Sequence, residues 1–553
     1  MDKRLLIALL LTAIIVAVTP VLFPTPKRTP TTASVSSQRV SDSAVSAKPV
    51  QAVNETAPAR VGTVTDSTSV APVSQSAQGR VVTIDTERAS YQFATLGAAP
   101  VSVLMKNYRN LSPTNGQVVL KVPGQELLTY ALVTGRDTVR LRNTDFQVSQ
   151  ASGPTGETSV TFRGIANGLG VTISYHIVPQ KYVMRVSGRV DNSPAQTFLL
   201  IDMPSSLPVT EADTLGDLRN RSYSFKPTTS NARGIPFGKL DPGEKRLEAE
   251  PLTWAAVRNK YFVIGLIGLE AHAFEEMTIT GGSRTSKIAT TASATLVKAL
   301  PKGTFAFDLY TGPQQSTELL SLGRDFDHVN PYGWSFLQPV VNPIAALCIK
   351  LLLWLHDHLK LSYGWVLIIF GVFIRVALWP LNQSAMRSSL KMQEIQPKLA
   401  EVQKKYRDKP DKQREEMMRV YREAGASPFT ALSGCLPMLI PMPVLFALFF
   451  VFQNTIEFRG VPFLWLTDIS TKDPFYILPI LMGISMYLLS WIGLKNAPPN
   501  PQAKMMSYMF PVMMTFVLAN MASGLNLYYT AQNLAALPQQ WMLARERQKA
   551  RKT

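Results

Sequence analysis

Apolar residues along this chain follow three rhythms, and each rhythm predicts a different kind of element. At the N-terminus Lys3 and Arg4 precede an unbroken apolar run from Leu5 to Phe23. A run of about 19 residues is long enough to cross a bilayer, although a secretory signal peptide shares the same charge-then-apolar layout. No clean small-x-small cleavage site is present and Pro20 follows the best candidate, so residues 1–23 are read as an uncleaved signal-anchor transmembrane helix. Residues 24–79 are rich in Ser, Thr, Ala, Val and Pro with few aromatics. Such a stretch buries too little surface to offset its chain entropy, and a disordered tether is expected.

The second rhythm has a period of two. Over residues 80–335 short alternating runs are separated by Gly, Asn, Asp and Pro. "RVVTIDT", "VRLRNTDFQVS", "TSVTFRG", "GVTISYHIV", "YVMRVSGRV" and "FAFDLYTG" each read as a strand. Many strands with few helical stretches predict a large all-β sandwich domain. His176 lies in a strand pattern, His272 is isolated, and neither has metal-ligand spacing around it. Scattered carboxylates such as Asp202 and Glu270 form no pair in sequence. A structural domain is expected, with carbohydrate or peptide binding as the alternative.

The third rhythm is helical. In "NPIAALCIKLLLWLHDHLK" the positions Ile344, Leu347, Cys348, Leu351, Leu352, Leu355 and Leu359 share one face, interrupted by Lys350. Residues 336–361 therefore read as an interfacial amphipathic helix, with His356 and His358 a surface pair on its polar end. Five transmembrane helices follow, at about 363–381, 434–452, 474–494, 505–521 and 525–541, inside a region 362–543. Their prolines and glycines are tolerable, because neighbouring helices can re-satisfy freed backbone groups. Between the second and third of all six spans, residues 384–425 carry a helical period of their own. Ile395, Leu399, Val402 and Tyr406 repeat on one side of "RDKPDK", and Met417, Val420, Tyr421 and Ala424 on the other. This predicts a helical hairpin broken at Pro410. Residues 544–553, "ARERQKARKT", form a basic tail.

Charge orients these elements. The chain has 553 residues, 46% of them hydrophobic, and a net charge of +18. Much of that excess flanks the apolar runs, which points to membrane topology more than to nucleic-acid binding. Lys398, Lys404, Lys405 and Arg407 lie in the hairpin, and Arg545, Arg547 and Lys549 in the tail. The loop from Gln453 to Asp473 instead balances Arg459 and Lys472 against Glu457, Asp468 and Asp473. The positive-inside rule then puts both termini in the cytoplasm and the β-domain outside. The basic hairpin face is either solvated surface or a contact for lipid or ribosome. Cys348 and Cys435 both have apolar surroundings and read as buried free thiols.

One residue breaks the apolar pattern. "GVFIRVALWPLNQSA" sets Arg375 among Val372, Phe373, Ile374, Val376, Ala377, Leu378 and Trp379. An arginine at the centre of a span costs about 2.5–3.5 kcal/mol on insertion scales, which makes it a functional hypothesis. It lies about six residues, or roughly 9 Å, from the inner end of its span, where snorkelling is the competing explanation. Snorkelling alone needs no further polar groups at depth. Yet Asn520, Ser523, Asn526, Tyr528, Tyr529, Thr530, Gln532 and Asn533 cluster around the last two spans, and no predicted span carries an acid. A wet cavity accounts for a buried cation without a fixed anionic partner. No nucleotide-binding loop or catalytic constellation is present, and no enzymatic activity, cofactor or metal is expected.

"YGWSFLQP", "IRVALWPL", "GCLPMLIPMPVLFALF", "DPFYILPILMG" and "SGLNLYY" occur in this order within the predicted topology. Together they resemble the YidC/Oxa/Alb family of membrane protein insertases, in the Gram-negative form with a large periplasmic domain. The resemblance implies a six-span α-helical membrane protein with a five-helix insertase core. It adds an all-β periplasmic supersandwich domain and a cytoplasmic helical hairpin, in a multi-pass protein of the bacterial inner membrane. It further implies a hydrophilic groove, open to cytoplasm and lipid, that receives nascent membrane proteins. Arg375 matches the family's groove arginine and Tyr529 a groove-lining position. Tyr528, Asn526, Thr530, Asn533 and Gly371 complete the expected set, although Gly371 stands where the family often has a polar residue. Ser427 and Pro441 are further departures from the family pattern. Ribosome, Sec translocon and membrane lipids are the implied partners, with no dedicated nucleic-acid site. An anion-selective transporter or channel built around Arg375 is the alternative, against which no internal repeat is visible.

Overall fold

The computed structural model describes residues 79–553 apart from 136, 155, 195, 286–287, 331–337, 381–382, 384–394, 396–397, 400, 407–408, 424–441, 495–500 and 551–553. The expected signal anchor and tether, and Cys435, Ser427 and Pro441, lie outside the described residues.

Residues 81–313 form sheets in which every strand pairing is antiparallel. The largest has nine strands. It runs from Arg233–Pro236 and Ser222–Pro227 through Leu252–Arg258, Phe262–Gly268, Thr304–Pro313, Val183–Asp191, Leu169–Ile177 and Thr158–Ala166 to Gln147–Ser152. A six-stranded sheet is ordered Lys245–Glu248, Glu276–Gly281, Ala292–Ala299, Thr197–Met203, Thr129–Thr134 and Asp137–Arg140. A four-stranded sheet spans Val81–Asp85 to Gln117–Leu120. Alternation in the sequence becomes alternation in burial: Leu169–Ile177 buries Val171, Ile173, Tyr175 and Ile177. Phe262–Gly268 is buried at every position, as a central strand covered on both faces must be. One core joins the three sheets, and Tyr175 is its hub. Its hydroxyl shares a 2.9 Å hydrogen bond with Tyr130 and donates to the Ala98 carbonyl at 2.8 Å, while Phe93 packs on its ring.

One strand expectation is corrected. "VRLRNTDFQVS" is not continuous: a 3-10 turn at Leu141–Asn143 divides it. The part before the turn ends the six-stranded sheet and the part after it ends the nine-stranded one. The buried Leu141 side chain pins this corner, where the polar Arg142–Asn143–Thr144 stretch turns the chain between sheets. His176 is explained structurally, by Ser159 at 2.9 Å and Glu157 at 3.0 Å.

Two short helices, α1 (Thr214–Arg219) and α2 (Ser316–Ser321), close the domain. The helical region follows as α3 (Gln338–Leu359), α4 (Tyr363–Ala377), α5 (Pro410–Glu423), α6 (Met442–Asn454), α7 (Ile477–Leu494), α8 (Pro501–Leu518) and α9 (Ser523–Ala550). By length and composition α3 and α7 can cross a membrane, whereas the apolar stretches Tyr363–Ala377, Pro443–Asn454 and Ser507–Leu518 are shorter. The first of these findings bears on α3, where Lys350 led to the expectation of an interfacial helix; its 22 residues form one unbroken helix. Large apolar side chains such as Trp354, Phe373, Ile484, Val512 and Phe516 are exposed on the outward faces.

Element ends differ from the sequence reading. Regular helix in α4 stops at Ala377, because Pro380 has no N–H for the Val376 carbonyl; helical geometry resumes at Trp379 after a break at Leu378. The last helix passes its expected end at Trp541 and absorbs the basic segment as far as Ala550. In the region expected as a hairpin, Ile395 and Leu399 are buried and Met417, Val420 and Tyr421 pack on them. α5 begins at Pro410, where the missing N–H costs a helix nothing.

Candidate functional site

α4 and α9 run in the same direction. Their N-terminal ends meet the loop between α6 and α7: Tyr363 packs edge-on against Phe458 with ring centroids 5.2 Å apart, and the Gly524 N–H donates to the Ile469 carbonyl at 2.9 Å. Gly364 sits so close to Phe463 that a Cβ there would be 2.0 Å from the ring. Arg375 is twelve residues beyond Tyr363, so it lies about 18 Å along the helix from this end. It occupies the last turn of α4, where unpaired carbonyls and the helix dipole favour a cation.

Arg375 is half-buried, and its Nη2 donates to Oε1 of Gln539 at 2.7 Å. Gln539 is itself 1% exposed, and its amide donates to Oε1 of Gln383 at 3.4 Å. The Arg375 Nε is buried without an acceptor among the described residues. Neither α4 nor α9 between Ser523 and Trp541 contains an acidic residue. The arginine is thus held by a neutral amide and retains an unused donor. Sequence reading missed Gln539 and Gln383. The available signal was Pro538-Gln539-Gln540, two consecutive amides directly after a proline in an otherwise apolar stretch of α9.

The other expected site residues divide. Gly371 is buried against α9, where a Cβ would lie 3.0 Å from the Tyr528 carbonyl oxygen and 3.3 Å from Cβ of Ala531. It is a helix-packing glycine and not a polar contact. Tyr528 is 1% exposed, its ring 5.8 Å from Phe370 and 5.8 Å from Tyr529. Asn526 is fully buried and donates to the Leu518 carbonyl at 3.0 Å, so it satisfies the last turn of α8. Asn533 donates to Ser485 Oγ at 3.0 Å and ties α9 to α7, while Thr530 bonds back to the Asn526 carbonyl at 2.8 Å. Tyr529 and Thr530 remain half-buried. The structure therefore brings Gly371, Tyr528, Asn526 and Asn533 into helix contacts, and leaves Arg375, Tyr529 and Thr530 partly accessible.

Of the basic set, Lys398, Lys404 and Lys405 are exposed, and the Arg545 guanidinium lies 3.4 Å from the Trp541 ring centroid. Arg407 and the side chains of Arg547 and Lys549 lie outside the described residues. Among the described residues no group of three or more His, Cys, Asp or Glu could hold a metal ion.

A second polar assembly links the two regions. The loop after α6 carries Arg459, whose Nε donates to Glu211 Oε1 at 2.8 Å, both side chains 5% exposed. Its Nη2 reaches the carbonyls of Arg109 at 2.8 Å and Thr210 at 3.1 Å, above the rings of Tyr261 and Phe262. Asp217 of α1 braces the receiving segment by accepting from the backbone of Thr210 and Lys260 at 2.8 and 3.0 Å. Burial pushes the Glu211 carboxyl above the usual carboxylate range, against the pull of Arg459. Ile456 inserts into the β-domain core and Glu457 accepts from the Ser316 N–H at 3.3 Å. The loop after α6 and the β-domain therefore share one side of the membrane helices.

Comparison with known proteins accounts for both regions. Residues 81–346 match the family model described as YidC periplasmic domain, and residues 354–551 match that described as 60Kd inner membrane protein. A membrane protein insertase YidC from Chlorobaculum parvum is 29% identical over 521 residues, covering 88% of this chain and 86% of the relative. One from Chlorobium luteolum is 30% identical over 445 residues, 76% of this chain and 71% of the relative. One from Chlorobaculum tepidum is 31% identical over 397 residues, 67% of this chain and 65% of the relative's length. None of these matches supports an anion transporter or channel. With its periplasmic β-domain and its inner-membrane helical region both accounted for, the chain belongs to the YidC/Oxa/Alb family of membrane protein insertases.

Proposed function

We propose that this chain inserts nascent inner-membrane proteins, and helps them fold, by receiving a hydrophilic client flank beside Arg375, Tyr529 and Thr530. The observation that carries the reading is the pairing of Arg375 with an uncharged amide while its Nε stays unused. A client carboxylate at about 4 Å would gain roughly 4 kcal/mol at an effective dielectric near 20, before desolvation. That draws a short polar segment inward without trapping it, and the apolar client segment then partitions along the exposed apolar faces into lipid. A membrane potential, outside positive, favours outward movement of an acidic residue by about 2.3 kcal/mol per 100 mV.

Six spans, both termini in the cytoplasm and the β-domain in the periplasm make up the topology that fits this reading. In it α3 rests at the outer interface, with Lys350 and Asp357 toward headgroups. The Leu399–Val420 packing belongs to a helical hairpin reaching into the cytoplasm, where Lys398, Lys404, Lys405 and Arg407 meet the ribosome or lipid headgroups. Arg545, Arg547 and Lys549 extend that basic surface, and the chain works alone or beside the Sec translocon.

Photo-crosslinkers at positions 375 and 529 in ribosome-bound complexes test the site. Nascent-chain adducts are expected at both, and their absence at normal expression would refute it. In cells depleted of their own insertase, Arg375→Lys retains more insertion than Arg375→Glu; equal activity would return Arg375 to simple snorkelling.

A further inference from the structure

We propose that Gln539 is a neutral stand-in for the client carboxylate, and that it sets the charge preference of the site. The inference rests on the reading of Arg375 as a client contact and goes beyond it by naming what Arg375 binds between clients. Guanidinium recognises carboxylate most strongly side-on, through Nε and Nη2 together. This protein uses that edge elsewhere: Arg185 engages Asp308 through Nε to Oδ1 and Nη2 to Oδ2. At Arg375 the same edge is half-filled. Gln539 Oε1 takes Nη2 at 2.7 Å, and Nε is left buried and without an acceptor among the described residues.

The Gln539 amide oxygen serves only one of the two nitrogens here, and it carries no formal charge. It therefore lowers the cost of an isolated buried cation between clients, and it loses to a carboxylate, which offers two oxygens and a charge. Gln539 can also give way, since its 3.4 Å bond to Gln383 is long. An acid at this position would behave oppositely. A glutamate would fill both halves of the edge with a charged partner, and the arginine would no longer present that edge to a client.

The test uses the full-length chain in cells depleted of their own insertase, with a matched pair of single-span clients. The two differ only in an Asp or an Asn on the short flank that crosses the membrane. Q539E should lower insertion of the Asp client about tenfold, the size expected when a charge-assisted hydrogen bond is blocked, and spare the Asn client. Equal insertion of the two clients by Q539E at wild-type levels overturns the proposal. A fall shared equally by both clients overturns it too, because a structural defect does not read client charge. Should Q539E fail to accumulate, Gln539→Leu gives a second reading. It removes the competing acceptor, so crosslinking of the Asp client to position 529 should rise relative to the Asn client; a fall overturns the proposal. Position-529 adducts in the unsubstituted chain separate the two levels. Their absence refutes the groove itself, whereas their presence with no charge-selective effect refutes only the role of Gln539.

Discussion

A Cβ on Gly371 would press on the Tyr528 carbonyl at 3.0 Å, and backbone cannot move aside as a flexible side chain can. Gly371→Val is therefore expected to cost about 1–3 kcal/mol by overpacking. A lowered thermal midpoint of the detergent-purified protein would register it, with Gly371→Ala falling less. Four residues along the same helix, Arg375 faces the opposite demand, since its donors need more acceptors than the fold supplies. Glu457 is a third case. Its Oε2 is buried without a partner among the described residues, and burial pushes its carboxyl above the usual carboxylate range. A raised pKa means that the folded state holds the proton more tightly than the unfolded state. The stability linked to that proton is full below the ordinary glutamate pKa and is lost as pH rises through the raised one. Glu457→Gln should thus raise the thermal midpoint near neutral pH, with the gain shrinking as pH falls into the ordinary glutamate range. An equal gain at both pH values would contradict this assignment.

Among the elements, α9 carries the most functions in one piece. Its start caps α8 through Asn526, its middle ties to α7 through Asn533, and Gln539 holds Arg375. Its last turns bear Arg545, Arg547 and Lys549, which the sequence reading places in a separate tail. Helix geometry fixes the spacing of those charges, which a flexible tail would not. Deleting Arg545 to Thr553 is expected to weaken ribosome association, most visibly at low salt where exposed charges are least screened. Co-sedimentation unchanged across salt concentrations would refute that. Periodicity revealed that a helix occupies 525–541, but its true length depended on whether basic, apolar-poor sequence continued the helix. The helical propensity of Ala, Arg, Glu, Gln and Lys supports this, together with the burial of Leu543 and Ala544.

For the whole molecule, the Arg459–Glu211 contact is the joint between β-domain and helices. Both side chains are nearly excluded from water. Removing one member of such a pair leaves the other buried and unpaired, at a cost of about 3–5 kcal/mol. Arg459→Met should accordingly lower the thermal midpoint and expose a cysteine introduced in the loop after α6 to labelling. Adding Glu211→Leu should recover part of the loss, because it removes the stranded carboxylate. A double variant as unstable as the sum of the single ones would mean that the two residues are not coupled. The charge balance of this loop had marked it as external, and the docking places it with the β-domain by direct contact. The partner on Glu211 was invisible in sequence, since the two residues lie 248 positions apart.

The sequence by itself determined the kinds of element and their order. Side-chain period follows from backbone geometry, so alternation meant strands and a repeat of three to four meant helices. It also determined the oddity of Arg375, because a charge in an apolar run is visible without any partner. Only the tertiary structure decided which faces meet: that Gly371 is a packing contact, that Asn526 completes a neighbouring helix, and that Gln539 occupies the arginine. Those assignments depend on helices and sheets approaching from distant parts of the chain. A pattern of polar and apolar positions records that a face will be covered, but the covering partner is chosen by packing in three dimensions.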